Sequence, residues 1–175
     1  MAQWLNAELI VPPNDPWHQE YFQQQSGGQL RLPRCTQCGM FVYPVRSMCP
    51  DCRNSEFRYA PLSGKGTIHS YFELTEPITP AFAPHPKAIV ALIELDEQRG
   101  VGVGGDRTMQ PVQFRAIRIV GNVVKPDGSF EDPAHVAINK RVKVHIVDMG
   151  DGMGLPQWEL SDEPPEGKEW QIAGG

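Results

Sequence analysis

Long hydrophobic runs are missing from this chain. The longest uninterrupted apolar stretch, residues 88–93, falls far short of the roughly 20 residues that a membrane-spanning helix needs. An excess of basic charge is missing too: 16 Lys and Arg stand against 21 Asp and Glu, for a net charge of −5. That balance argues against a general nucleic-acid binder, which must neutralise phosphates. The opening MAQWLNAELI has no basic segment leading into an apolar run, so a reducing, cytoplasmic setting is expected. Cysteine is scarce as well, and the few cysteines present are informative because of where they sit.

There are four, Cys35, Cys38, Cys49 and Cys52, in the pattern C-x2-C-x10-C-x2-C. Two thiolates separated by two residues can be aimed at one ion by a single tight turn, and two such turns complete a tetrahedral site. Gly39 follows the first pair and Pro50 lies inside the second, both suited to sharp turns. A spacer of ten residues favours a zinc ribbon over a longer finger. The competing readings are two disulfides, four buried thiols that ligate nothing, or iron in a rubredoxin-like site. Zinc is favoured because nothing nearby suggests electron transfer, and with four sulfur ligands it would be structural rather than catalytic.

The chain's 175 residues, 40% of them apolar, suffice for one ordinary domain and a small appendage. Residues 1–13 carry only a weak apolar pattern. Asn14 or Asp15 can then cap a helix over 16–25, with Pro16 at its first position and Gly27 and Gly28 ending it. Trp17, Tyr21 and Phe22 fall near one face, which suits either packing on the ribbon or a docking arm. The ribbon is expected over 29–60, with Leu30 and Leu32 alternating into the first cysteine pair and 40–43 strand-like. Arg34, Arg46, Arg53 and Arg58 make it locally basic, either as a solvated face that offsets thiolate charge or as a site for an anion or partner.

Beyond Pro61, alternating and apolar runs predict strands at 67–73, 88–95, 114–124, 141–147 and 157–160, enough for a small closed barrel. Residues 63–66 and 148–152 read as turns, and 77–86 as a proline-rich connection. The segments 99–113 and 125–139 are expected to be loops. Gly100, Gly102, Gly104 and Gly105 do not match a phosphate loop, because the G-x-x-x-x-G-K-[ST] spacing and the following helix are both missing. Residues 162–175 read as a flexible tail. No catalytic set stands out: His18, His69, His85, His135 and His145 are scattered, and Ser63, Asp96 and Asp106 lack a motif around them.

The segments DPWHQEYF, LPRCTQCGMFVYPVRSMCPDC, SGKGTIHSYFEL and AIVALIELDE together resemble the family known as domain of unknown function 35, over about residues 15–160. The resemblance implies a mainly β chain made of an N-terminal helical docking segment (1–28), a rubredoxin-like zinc ribbon (29–60), a five-stranded OB-fold barrel (61–161) and a tail (162–175). It also implies an accessory, non-catalytic subunit of enzymes acting on acyl-CoA, with a thiolase-like partner, a thiolase or a retro-aldolase, carrying the chemistry. The segment 99–114 is longer than the family's usual connection, so no function is carried over to it. Coenzyme A would need cations and a stacking surface. Arg46, Arg53 and Lys65, with Phe41 or Tyr43, are the candidates, set against a plain role in joining ribbon to barrel. Two other classes remain: a nucleic-acid-binding OB protein and a free-standing acyl-CoA hydrolase or carrier.

Overall fold

In the computed structural model, residues 2–5, 7–9, 15–76, 80–84, 87–98 and 116–172 are described. Helix α1 spans Pro16–Gln24, starting where the cap residue predicts: Asp15 Oδ1 accepts from the His18 amide at 3.2 Å, and Pro16 takes the first turn. Tyr21 is its buried side chain, while Trp17 is 50% exposed. The next residue, Gln25, is fully buried and ties the helix to the ribbon. Its Nε2 donates to the carbonyls of Tyr21 (2.9 Å) and Arg31 (2.8 Å), and its Oε1 accepts from the Arg31 amide (2.9 Å).

The weak apolar pattern at the start of the chain forms a hairpin, β1 (Ala2–Trp4) and β2 (Ala7–Leu9). Trp4 is buried and meets Phe82 and Phe130 edge-on, with centroids 5.9 and 5.3 Å away. The ribbon is framed by β3 (Arg31–Cys35) and β4 (Phe57–Pro61), which pair antiparallel. The run 40–43 lies along β3 through an Arg34–Phe41 bridge and two bonds, from the Cys35 amide to the Met40 carbonyl and from the Val42 amide to the Pro33 carbonyl, and forms an extended loop rather than a regular strand.

Five strands follow: β5 (Lys65–Leu74), β6 (Ala88–Leu95), β7 (Arg118–Asn122), β8 (Arg141–Gly150) and β9 (Met153–Leu160), in the sheet order β7-β6-β5-β8-β9. A bulge between Ile68 and Ser70 bends β5, whose residues Lys65–Thr67 pair with β8 while the strand also pairs along β6. The closed barrel expected from the strand count is corrected here. The outer strands meet through a single parallel bridge, Val123 to Trp158, supported by a 2.8 Å bond from the Val124 amide to the Trp158 carbonyl, so the sheet is OB-like and only partly closed. Trp158 is fully buried at this seam. Gly121 lets it in, because a Cβ there would lie 2.8 Å from the indole.

One core holds these parts together. Tyr21 from the helix and Leu30 and Leu32 from the base of the ribbon bury in the same cluster as Ile68, Ile89, Ile93, Ile119 and Trp158 of the barrel. The connection 125–139 runs as a turn at Asp127–Gly128 and a short 3-10 turn, Pro133–His135. The glycine-bearing segment 99–113, with His85 and Asp106, lies outside the described residues. Residues 162–172, expected as a free tail, are laid against the barrel. Arg141, only 7% exposed, pairs with Asp96 (2.5 Å), Glu166 (3.0 Å) and Glu163 (3.1 Å). Trp170 bridges to Ile138, and the Ile172 amide donates to the Tyr71 hydroxyl at 2.9 Å.

Candidate metal centre and the basic groove beside it

The two cysteine pairs fold as near-copies of one turn. In the first, the Gly39 amide donates to the Cys35 carbonyl (3.0 Å) and the Cys35 amide to the Met40 carbonyl (2.8 Å). In the second, Arg53 donates to Cys49 (3.0 Å) and Cys49 to Asn54 (2.8 Å). Each turn needs one residue with positive φ just after its second cysteine: Gly39 at 76° and Arg53 at 66°. Glycine reaches this region freely, whereas arginine does so at a cost.

The turns bring all four sulfurs within 4.8 Å of one another, with Cys35–Cys52 at 3.5 Å and Cys38–Cys49 at 3.6 Å. A tetrahedral zinc with bonds of about 2.3 Å has sulfur–sulfur edges of about 3.8 Å, so the cage has the right size. The electrostatics agree. Burial raises the Cys35 thiol, but donors from the Cys38 amide, the Asn54 side chain and the Gln37 amide outweigh it and bring the group down to about 6. Cys38 is pushed up to about 12, chiefly by burial and also by the neighbouring sulfurs, and burial raises Cys49 too. Four thiolates this close need a cation to ionise together. The cluster fits a structural zinc that neutralises the sulfurs and cross-links the two turns, with no ligand position left open. Among the described residues it is the one group of side chains arranged to hold a metal.

A groove of about 580 Å³ lies between α1 and the ribbon, with Trp17, Glu20, Arg31, Arg46, Arg58 and Tyr59 on its walls. The Tyr59 hydroxyl is buried without a hydrogen-bond partner, and burial, then the nearby Glu20, raises its pKa. Arg46 is the coenzyme A candidate that lines this groove. Tyr43 instead lines a smaller, more apolar pocket of about 160 Å³ with His18, Phe22, Val120 and Leu155. The Phe41 ring lies under the Arg34 guanidinium at 5.4 Å, and its main chain is bound on both sides by Gln98. Arg53 sits in the second metal turn, and Lys65 on the barrel is paired with Glu163 at 2.5 Å. The five candidates therefore do not line one cavity. Trp17 reaches the groove because Gln25 ties the end of α1 to Arg31, and Arg58 and Tyr59 reach it because β4 pairs beside β3.

Three of the five histidines are held in local pairs: His18 with Asp15 (2.6 Å), His135 with Glu131 (3.0 Å) and His145 with Glu159 (2.6 Å). None of these three is hydrogen-bonded to a hydroxyl or thiol among the described residues. Asp96 is tied to Arg141, and the Ser63 hydroxyl accepts from the Lys65 amide.

Residues 28–58 match the family described as ChsH2, rubredoxin-like zinc ribbon domain. A DUF35 domain-containing scaffold protein of Methanothermobacter thermautotrophicus is 40% identical over 65 residues, which is 37% of this chain and 48% of that protein. The benzoylsuccinyl-CoA thiolase subunit BbsA of Thauera aromatica is 40% identical over 42 residues, 24% of this chain and 29% of the subunit. The chain thus spans about half or less of the length of these relatives, at 48% and 29%. The fold extends further. The solved Ltp2-ChsH2(DUF35) aldolase superposes with a TM-score of 0.64 at 22% identity, covering 86% of this chain and 98% of the matched one. The ribbon of this chain is thus of the ChsH2 rubredoxin-like type, and the chain as a whole shares its zinc-ribbon and OB-like fold with DUF35 proteins.

Proposed function

We propose that this chain is a zinc-binding accessory subunit of a cytoplasmic thiolase-like complex, a thiolase or a retro-aldolase, acting on acyl-CoA. It docks the partner and supplies part of the coenzyme A site, and the partner supplies the reacting groups. The observation that carries the reading is that all four thiols of the chain are gathered in the metal cage. Thiolase-type chemistry needs an ionised cysteine nucleophile, and a sulfur spent on zinc cannot serve, so the nucleophile must come from another chain. The relatives support this division. One is named a scaffold protein and another a thiolase subunit.

For coenzyme A, the groove beside the helix offers Arg46 and Arg58 to phosphates and the half-exposed Trp17 to the adenine ring. Arg53, Lys65, Phe41 and Tyr43 border other surfaces and would contribute only where the partner completes a wall. The test is co-expression with a thiolase-like protein, native mass spectrometry with zinc analysis, and acyl-CoA cleavage measured with and without free coenzyme A. A zinc-loaded hetero-complex active only with both chains is expected, and dependence on free coenzyme A separates thiolysis from retro-aldol cleavage. Turnover by this chain alone would overturn the reading in favour of a hydrolase. Arg46→Ala is expected to weaken acyl-CoA binding to the complex while leaving zinc content unchanged.

A further inference from the structure

The ribbon sheet has an unused edge whose hydrogen-bonding phase can be read from its neighbours. In an antiparallel ladder, pairs that exchange main-chain bonds alternate with pairs that do not. The Leu62 amide donates to Leu30 (2.9 Å) and the Thr36 amide to Glu56 (3.1 Å), so Leu32–Ala60 and Arg34–Arg58 are the bonded pairs between them. Pro33–Tyr59 and Cys35–Phe57 are then the non-bonded pairs, whose main-chain groups point away from the partner strand. On the β3 side these outward groups are used: the Pro33 carbonyl accepts from Val42, and the Cys35 amide donates to Met40. On the β4 side no strand lies alongside among the described residues. The Tyr59 carbonyl receives only the Arg31 guanidinium, at 3.3 Å.

Charge and space distinguish this edge from an ordinary guarded one. Arg34 and Arg58 share one face of the sheet, over an open depression that also borders Thr36, Gly39, Glu56 and Phe57, so two guanidiniums there stand against one carboxylate. Phe57 and Tyr59 share the other face, and at this edge they wall the groove together with Trp17, Glu20, Arg46 and Arg58, which reaches it from the strand's rim. No carboxylate pairs with Arg34, Arg46 or Arg58 among the described residues, although the chain as a whole carries −5. A strand added beside β4 would thus place alternate side chains toward Arg34 and Arg58 on one face and toward Phe57, Tyr59 and Trp17 on the other.

We infer that the outer edge of β4 is a strand-addition site for an extended acidic segment of a partner protein. Main-chain bonds to Phe57 and Tyr59 hold the segment. Its carboxylates fall on the Arg34 and Arg58 face, and its apolar residues fall toward Phe57 and Trp17. This deepens the docking part of the proposed function and rests on that reading only for the partner's identity. The edge itself stands on the ladder phase and on arginines that no carboxylate pairs with among the described residues. A purely protective role for Arg58 and Pro61, which are common guards of exposed strands, is the opposing outcome.

The test uses the zinc-loaded full chain and a short synthetic peptide alternating glutamate and valine, followed by amide hydrogen exchange. The Phe57 and Tyr59 amides are expected to slow on peptide addition. Arg58→Glu, with zinc content and melting temperature unchanged, is expected to weaken binding on the order of tenfold. The inference is overturned by an absence of binding at millimolar peptide, by binding that leaves those two amides unprotected, or by equal binding of a proline-interrupted peptide. The two readings also fail separately. A thiolase-like complex that forms equally well with Arg58→Glu removes the edge and keeps the accessory subunit. Amide protection by the peptide without any thiolase-like complex does the reverse.

Discussion

The ribbon and the barrel are stabilised by different means, although they share a core. In the barrel, Ile68, Ile89, Ile93, Leu95 and Ile119 are essentially fully buried beside Trp158, in a core built of apolar side chains. In the ribbon, the buried cluster around the metal contains only Cys35, Val42 and Cys49. So small an apolar cluster cannot offset the conformational entropy of ordering two turns and a long loop, which leaves metal–sulfur bonding as the main source of order there. The fold thus joins a metal-dependent half, which carries the basic groove, to a metal-independent half that anchors it through Leu30 and Leu32. Loss of zinc should remove the groove without dissolving the barrel.

Breaking the metal side has the largest expected effect. Cys38→Ser is expected to lose bound zinc and the ordered ribbon, because zinc binding at such sites is worth roughly 10 kcal/mol or more of folding free energy. Partner binding should fall with it. The barrel signals in a two-dimensional amide spectrum should persist while those of residues 31–61 collapse. Simultaneous loss of both sets would show that the shared core makes the halves one cooperative unit. The matching cut on the barrel side is Ile93→Ala, at a position with no exposure, expected to cost about 2–5 kcal/mol. Thermal melting and metal analysis together should show a lowered transition with zinc still bound in the native state.

Why some of this was legible in the sequence and some was not follows from the range of the forces involved. The metal site was readable because ligand geometry is enforced within four residues, as at Cys35–Cys38 and Cys49–Cys52. The helix start was readable because Asp15 and Pro16 act locally, and β6 because a run of apolar side chains needs no partner to be recognised. The hairpin β1–β2 was missed because what buries Trp4 comes from Phe82 and Phe130, far along the chain. Full barrel closure was overestimated, since a count of strands does not reveal that the last seam is a single bridge at Trp158. Acidic, proline-containing composition made 162–172 look solvated, yet Arg141 recruits Glu163 and Glu166 from about twenty positions away, at |i−j| of 22 and 25. The basic residues were visible, but not their separation onto different surfaces.

The two metal turns offer a finer comparison within the ribbon, because they share hydrogen bonds and differ at the positive-φ position. Gly39→Ala places a side chain where the backbone is left-handed. The new Cβ meets only the Arg34 side chain at an ordinary 3.5 Å, so the expected cost of about 1 kcal/mol is conformational. Arg53→Gly should do the opposite on a smaller scale. Relief of about 1 kcal/mol of left-handed strain is partly offset by the greater freedom of glycine in the unfolded chain, for a net gain of about 0.5 kcal/mol. Competition against a metal chelator, with the half-time of zinc release as the readout, should rank Arg53→Gly slowest and Gly39→Ala fastest. If Arg53→Gly also weakens acyl-CoA binding to the complex, the arginine has a ligand role beyond the turn.

The smallest expected effect concerns the segment that closes over the barrel. The Glu163 carboxyl is held below its usual range, first by Lys65 and then by Arg141. A folded-state pKa below the unfolded value means that this contribution is fully present above the unfolded value and is lost as pH falls through the folded one. Residues 162–172 should therefore loosen in acid, below the ordinary glutamate range, and added salt should move the loosening to higher pH because Lys65 and Glu163 are exposed enough to be screened. The indole signal of Trp170, followed by NMR against pH, reports the event locally, while zinc-site signals at Asn54 and Gly39 serve as the internal control. Loosening of Trp170 ahead of the ribbon would show that the segment is an electrostatic strap on the barrel, independent of the metal. If the two change together, the strap, the barrel and the ribbon open as one, and the contrast between a metal-held half and a core-held half describes the native contacts but not the unfolding.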